Sequence, residues 1–207
     1  MADLSKSFDA DYIKRIEAER REKDHFFKEH PQSPIPWTLR ERFMGLEYFP
    51  ANPKHRLKVN LTRYPKPEPV VLATSKGTPR DMLKWGYFEF TIGGQTRRLQ
   101  SYKSIRKPGE HGDESLFIPF RDATSGEESY PGGRYLDLPI SKNDEYELDF
   151  NLAYNPYCAY NDAYVCPLPP RDNWLDIRIE AGEKDFPLEV LKERAAKGGK
   201  PVGHHDH

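Results

Sequence analysis

Tyr12, Ile13, Ile16, Phe26 and Phe27 recur at three- and four-residue spacings, a pattern that predicts a helix over residues 9–30. Ser7 is read as its N-cap, and Asp9 and Asp11 suit the positive end of the helix dipole. The charged middle, EAERREKD, is expected to face solvent. Pro31, Pro34 and Pro36 then end the helix, and a short second helix over 38–44 closes at Gly45. From Leu46 the period falls to two. Leu57, Val59 and Leu61 alternate with polar neighbours, and a short apolar run covers 70–73. Residues 87–92 lead into Gly93-Gly94, a two-residue hairpin signal with 95–102 as the returning strand.

Residues 103–115 are polar and rich in glycine and charge, which predicts an exposed, mobile loop. Further strands are expected over 116–120, 133–138, 147–152 and 174–180, the last with Leu175, Ile177 and Ile179 in clean alternation. Pro187 opens a final helix over 188–197, and Gly198-Gly199 ends it. Short strands punctuated by glycine and proline, without alternating helices, predict a mainly β fold. The expected architecture is a single-domain antiparallel β barrel or sandwich with an N-terminal helix and a short C-terminal helix. Its parts are a helical segment over 1–45 packed on the core, a β domain over 46–186, the helix over 187–199 and a disordered tail over 200–207.

A length of 207 residues favours one core, and the 36% hydrophobic fraction is low for one, but 13% aromatics supply large buried areas per residue. Lys plus Arg (32) nearly balances Asp plus Glu (33), so there is no global field to collect nucleic acid or an anionic membrane. The N-terminal stretch lacks the apolar run of a secretory signal, and no eighteen apolar residues follow one another. A cytoplasmic protein is expected, and Cys158 and Cys166 are therefore read as reduced thiols that could cross-link under oxidation. A homodimer remains open. No G-x-S-x-G elbow, phosphate loop or G-x-G-x-x-G is present, so no nucleotide cofactor is expected. Nor is a metal centre: no DxDxDG-type loop or H-E-x-x-H spacing occurs, and His204, His205 and His207 sit in the tail.

The unusual polar and aromatic residues crowd between Phe120 and Glu183. The wording FIPFRDATSGEESYPGGRYLDL, DFNLAYNPYCAYN, CPLPPRDNWL and IEAGEK, with SPIP and GLEYFP between Ser33 and Pro50, resembles the family catalogued as domain of unknown function 1684. The resemblance spans nearly the whole chain, the charged N-terminal helix included. The family brings no established reaction, so the function is read from the residues themselves.

Arg121 and Arg134 could offer planar forks to a carboxylate or phosphate, with Asp122, Asp149, Glu180 and Glu183 orienting them or serving as acid and base. Tyr135, Asn151, Tyr154, Asn155, Tyr157, Tyr160 and Tyr164 could stack on and hydrogen-bond a ring. The leading expectation is a pocket lined by Arg and Tyr residues that binds a small polar or anionic ligand. One alternative is a hydrolase or lyase in which Asp122, Asp149 or Glu183 moves a proton or Cys158 attacks. The other is a structural or interaction domain without a ligand, in which ion pairs tie loops together, aromatics replace aliphatic core and asparagines cap turns.

Overall fold

The computed structural model describes residues 2–105 and 115–196, and its first element is a helix over Ala2–Glu29 (α1). The helix starts earlier than predicted, so Ser7 lies inside it and is not its N-cap. One stripe of α1 faces the core: Tyr12, Ile16 and Phe27 are buried, and half-buried Arg20 and Lys23 stand between them. These positions follow one another at four- and three-residue steps, the spacing of one helix face. The middle of the helix, expected to be solvated, thus turns two cations inward, their stems covering apolar surface while their heads reach polar partners. A helix over Trp37–Arg40 (α2) follows the prolines and is shorter than predicted.

Six antiparallel strands come next: β1 (Arg56–Leu72), β2 (Arg80–Ile92), β3 (Gln95–Ser104), β4 (Ser115–Phe120), β5 (Arg134–Pro139) and β6 (Glu145–Asp149). They pair in the order β5-β4-β3-β2-β1-β6 and curl into a nearly closed barrel. At the seam, Tyr135 of β5 exchanges two backbone hydrogen bonds, of 2.8 and 3.1 Å, with Tyr154 just beyond β6. The barrel alternative is therefore the correct one. Gly93-Gly94 forms the predicted connection, with Ile92 opposite Gln95.

Two apolar runs that looked separate are both in β1, which pairs with β6 over Arg56–Asn60 and with β2 from Leu61 onward. Its ladder with β2 is interrupted between Arg63 and Glu68, the stretch that holds Pro65 and Pro67. Prolines, which lack the N–H a ladder needs, are tolerated at such an irregularity. β6 stops at Asp149, where the carboxylate accepts from the Asn151 N–H and turns the chain into a 3-10 turn over Phe150–Leu152 in place of the predicted longer strand.

Residues 174–180, predicted as a strand, do not form one. Leu175, Ile177 and Ile179 are buried as their alternation requires. The backbone, however, is tied only intermittently to residues 121–123: Leu175 N–H donates to the Arg121 carbonyl at 2.8 Å, and Ala123 N–H to the Ile177 carbonyl at 2.9 Å. A period of two reports that one face is buried and does not require a ladder. This segment inserts among Leu61, Phe88, Phe90, Leu99, Ile118, Phe120, Leu148 and Phe150 of the barrel interior.

A second apolar cluster joins the helices: Phe27, Ile35, Leu39, Phe43, Tyr160 and Phe186 meet Leu188 and Leu191 of the last helix, Leu188–Ala196 (α3). Ser104 is still in β3 and Ser115 already in β4. Lys103 is in β3 as well, and residues 106–114 of the predicted loop, Gly198-Gly199 and the tail lie outside the described residues. Among the described residues no helix is long and apolar enough to cross a membrane.

Candidate functional site

Arg134, at the start of β5, is fully buried, and so is the side chain of Asp122 facing it at 3.2 Å. One guanidinium nitrogen donates to the carbonyls of Ala181 and, at 3.1 Å, Glu183; the other donates to Asp122 and, at 2.9 Å, to the Ile179 carbonyl. Asp122 also accepts from the Thr124 hydroxyl (2.9 Å) and the Ile179 N–H (2.7 Å). Burial pulls the Arg134 pKa down from its ordinary value, and the Asp122 charge opposes that pull. The expected ligand fork and its acid are thus sealed into a brace that clips residues 179–183 to the barrel. Arg121 stands apart, its guanidinium stacked 4.4 Å from the centroid of the Trp174 ring.

Asp149 and Asn151 are likewise buried. The Tyr12 hydroxyl donates to Asp149 at 2.7 Å, and Asn151 donates its side-chain N–H to the Tyr12 oxygen and to the Asn52 carbonyl, each at 2.9 Å. Burial first, and the Asp149 hydrogen bond and charge next, push the Tyr12 phenol well above its ordinary range. This trio fastens α1 to the end of β6, and of the two predicted residues Asn151 borders a small cavity of about 150 Å³.

Glu183 is a third hub. Its carboxylate receives the Lys23 ammonium, the Tyr160 hydroxyl and, at 2.8 Å, the Asn155 N–H. Tyr160 is fully buried against Phe27 and Phe186, and Asn155 donates to the Lys184 carbonyl at 2.8 Å. Both serve as structure around Glu183. Glu183 borders a small cavity of about 150 Å³ shared with Arg20, Lys23, Tyr48 and Tyr154. Glu180, by contrast, is exposed and pairs with Arg178 at 2.9 Å.

The remaining predicted tyrosines do come together. A cleft of about 540 Å³ is lined by Tyr135, Tyr154, Tyr157 and Tyr164, with Lys23, Pro156, Val165 and Cys166. Tyr135 and Tyr154 meet edge to face at 5.7 Å, and Tyr157 and Tyr164 do so at 5.2 Å. The first pair is fixed, since the Tyr135 hydroxyl donates to the Pro167 carbonyl and the Tyr154 hydroxyl to Asp137. Burial holds the Asp137 carboxyl above its ordinary pKa. The second pair stands at the rim, with Tyr157 exposed. The Lys23 ammonium lies 5.2 Å from the Tyr154 ring centroid, a cation against a π face.

Lys23 is the residue missed from sequence. Its signal was the stripe Tyr12, Ile16, Arg20, Lys23, Phe27, which a reading of net polarity along EAERREKD overlooks. Another depression, of about 450 Å³, lies over the β1–β6 pair and is lined largely by Lys58, Asn60, Glu145 and Glu147, side chains of a solvated strand face.

Both cysteines are free thiols. Cys158, in the 3-10 turn Tyr157–Ala159, is half-buried, and its N–H donates to the Cys166 sulfur at 3.4 Å. The Tyr130 hydroxyl lies 3.7 Å from the Cys158 sulfur, and Ser75 accepts from the Cys166 N–H at 3.1 Å. Hydrogen bonding from the Cys166 thiol, with help from Tyr130 and Ser75, lowers the Cys158 pKa to about 6 against the opposing effect of burial. The same contact pushes the Cys166 thiol up. Among the described residues no cluster of three or more His, Cys, Asp or Glu is arranged to hold a metal ion.

The model of the family described as protein of unknown function (DUF1684) matches residues 41–184. That span is narrower than the near-complete resemblance expected, and it leaves out α1 and α3. Among solved structures, the solution NMR structure of an uncharacterized protein of Haloarcula marismortui, from gene locus rrnAC0354, is 42% identical, covering 84% of this chain and 95% of that one with a TM-score of 0.64. No curated protein matches. With all three polar hubs, the barrel and the cleft tyrosines inside or touching the matched span, the chain belongs to the DUF1684 family of proteins of unknown function.

Proposed function

We propose that this protein binds a small molecule carrying a flat ring and an anionic or acceptor group in the tyrosine-lined cleft. The observation that carries this reading is the four convergent tyrosine rings with the Lys23 ammonium beside them in a space of about 540 Å³. That volume lies within the range of small-molecule sites, which are mostly apolar with a few placed polar groups. Rings offer stacking faces, and an ammonium with three donors can serve Glu183 and a ligand together. The cationic partner is Lys23, in place of the arginines first expected. Asp122, Asp149 and Glu183 do not line the cleft, which favours binding over proton-transfer catalysis there.

A thermal-shift screen of the wild type against ring-bearing carboxylates and phosphates tests the idea. A ligand at a hundred times its Kd stabilises the fold by about 2.7 kcal/mol. Tyr157→Ala and Tyr164→Ala, at the rim, should melt near the wild-type temperature yet lose that shift. A hit that stabilises both variants as it does the wild type places the ligand elsewhere, and a screen without hits removes the support for a ligand of this class.

A further inference from the structure

Cys158 and Cys166 are more than two unpaired thiols eight positions apart. The Cys158 N–H donates to the Cys166 sulfur at 3.4 Å, the Tyr130 hydroxyl lies 3.7 Å from the Cys158 sulfur, and the Cys166 N–H donates to the Ser75 hydroxyl at 3.1 Å, so the two cysteines are held against each other. Cys158 is half-buried and lines a cleft of about 320 Å³ beside Tyr130, Pro131, Asp162, Asp185 and Glu189, a space by which a small molecule can approach it. A half-buried thiol with a phenol and a second cysteine beside it has surroundings that a fully buried structural cysteine lacks. Asp162, Asp185 and Glu189 line this cleft with Lys192 bridging Asp162 and Glu189, so among the described residues no cation is left unpaired there to draw in an anionic oxidant, and a neutral hydroperoxide is the oxidant class that fits.

We propose that Cys158 and Cys166 form a hydroperoxide-reactive dithiol in which Cys158 is attacked first and Cys166 resolves the product into a disulfide. The Cys158 thiolate attacks one peroxide oxygen. A sulfur–oxygen bond forms, the oxygen–oxygen bond breaks, sulfur gives up two electrons and the departing alkoxide or hydroxide takes a proton from water. Tyr130 is placed to hydrogen-bond that leaving oxygen. The sulfur of Cys166 then attacks the sulfenic acid: the disulfide forms, the sulfur–oxygen bond breaks, and hydroxide leaves with the Cys166 proton as water. A dithiol reductant restores both thiols and becomes a disulfide itself. A neighbouring resolving cysteine is what keeps a sulfenic acid from further, irreversible oxidation. This inference does not rest on the ligand reading: Cys158 lines a cleft other than the tyrosine-lined one, which Cys166 borders.

The experiment is oxidation of the intact wild-type protein with a slight excess of hydrogen peroxide at neutral pH, followed by alkylation and peptide mass mapping. The expected product is a Cys158–Cys166 cross-link, with both thiols lost together and both recovered on reduction. In Cys166→Ser, dimedone should trap a sulfenic acid on Cys158. In Cys158→Ser, oxidation of Cys166 should slow by about tenfold or more, as for a thiol without thiolate character. The wild-type cross-link needs no variant to fold. Two free thiols after treatment, over-oxidation without a cross-link, or Cys166 reacting at the wild-type rate in Cys158→Ser would each overturn the assignment.

Discussion

The Arg134 guanidinium and the Asp122 carboxylate lie 3.2 Å apart with neither side chain exposed to solvent. A lone buried charge is costly, so the pair persists because Ile179, Ala181 and Glu183 supply backbone acceptors to the arginine while Thr124 and Ile179 supply donors to the acid.

Arg134→Met should therefore destabilise the protein by about 3–5 kcal/mol, because it strands a buried carboxylate and several carbonyls. Adding Asp122→Asn should recover part of that loss. Urea unfolding midpoints of the single and double variants measure both. A single variant within about 1 kcal/mol of the wild type would mean that the pair is not a brace.

Tyr12→Phe removes the hydroxyl shared by Asp149 and Asn151 and little else. A hydrogen bond to a charged group contributes about 1.5–3 kcal/mol. Because the bond joins α1 to the barrel, amide exchange should quicken in α1 more than in β2 and β3. Hydrogen exchange followed by mass spectrometry reads that difference directly.

Gly182 has a φ of +77°, and a Cβ there would sit 2.5 Å from the Ala153 carbonyl oxygen. Gly77 has a nearly equal φ of +78° with open space around it. Both Gly→Ala variants carry the same backbone strain, so the difference between them isolates the clash. Gly182→Ala should be the less stable by about 1–3 kcal/mol, the usual cost of overpacking, in a thermal or urea melt.

Alkylation of Cys158 should follow its thiolate. The folded pKa of about 6 lies below the value near 8.5 of an unperturbed thiol, so the rate should climb through pH 6 and level off by about pH 7.5. The ionisable groups around it include Cys166, Tyr130, Asp162, Asp185 and Glu189, with Lys192 paired to Asp162 and Glu189. Cys166→Ala removes the chief stabilising contact and should move the inflection upward. A rate in the wild type that keeps rising through pH 8.5 contradicts a depressed pKa.

The β character and the hairpin at Gly93-Gly94 were legible because a strand with one buried face writes its alternation directly into the chain. The same rule misread residues 174–180, whose Leu175, Ile177 and Ile179 are buried without a ladder. The site divided along similar lines. Tyr135, Tyr154 and Tyr157 converge on one cleft as grouped, whereas Arg134 with Asp122, Asp149 with Asn151, and Glu183 with Asn155 are held by partners within the protein in three separate hubs. A sequence shows that a polar residue is present but not which way it faces, and long-range partners such as Tyr12 with Asp149 have no local signature. Lys23 was hidden for that reason, a charge at a position whose spacing marked it as inward.

The segment over 174–183 also sets an order of events at the ribosome. Arg134 leaves the exit tunnel well before the carbonyls of Ala181 and Glu183 that will receive it, and the interior waits for Leu175, Ile177 and Ile179. A nascent chain halted short of residue 174 carries all six strands around an unfilled centre, with the Arg134–Asp122 pair still lacking its backbone partners at Ile179, Ala181 and Glu183. Filling of the barrel interior is therefore a later step than the making of its strands, and until it happens the inner apolar faces of the strands stay uncovered.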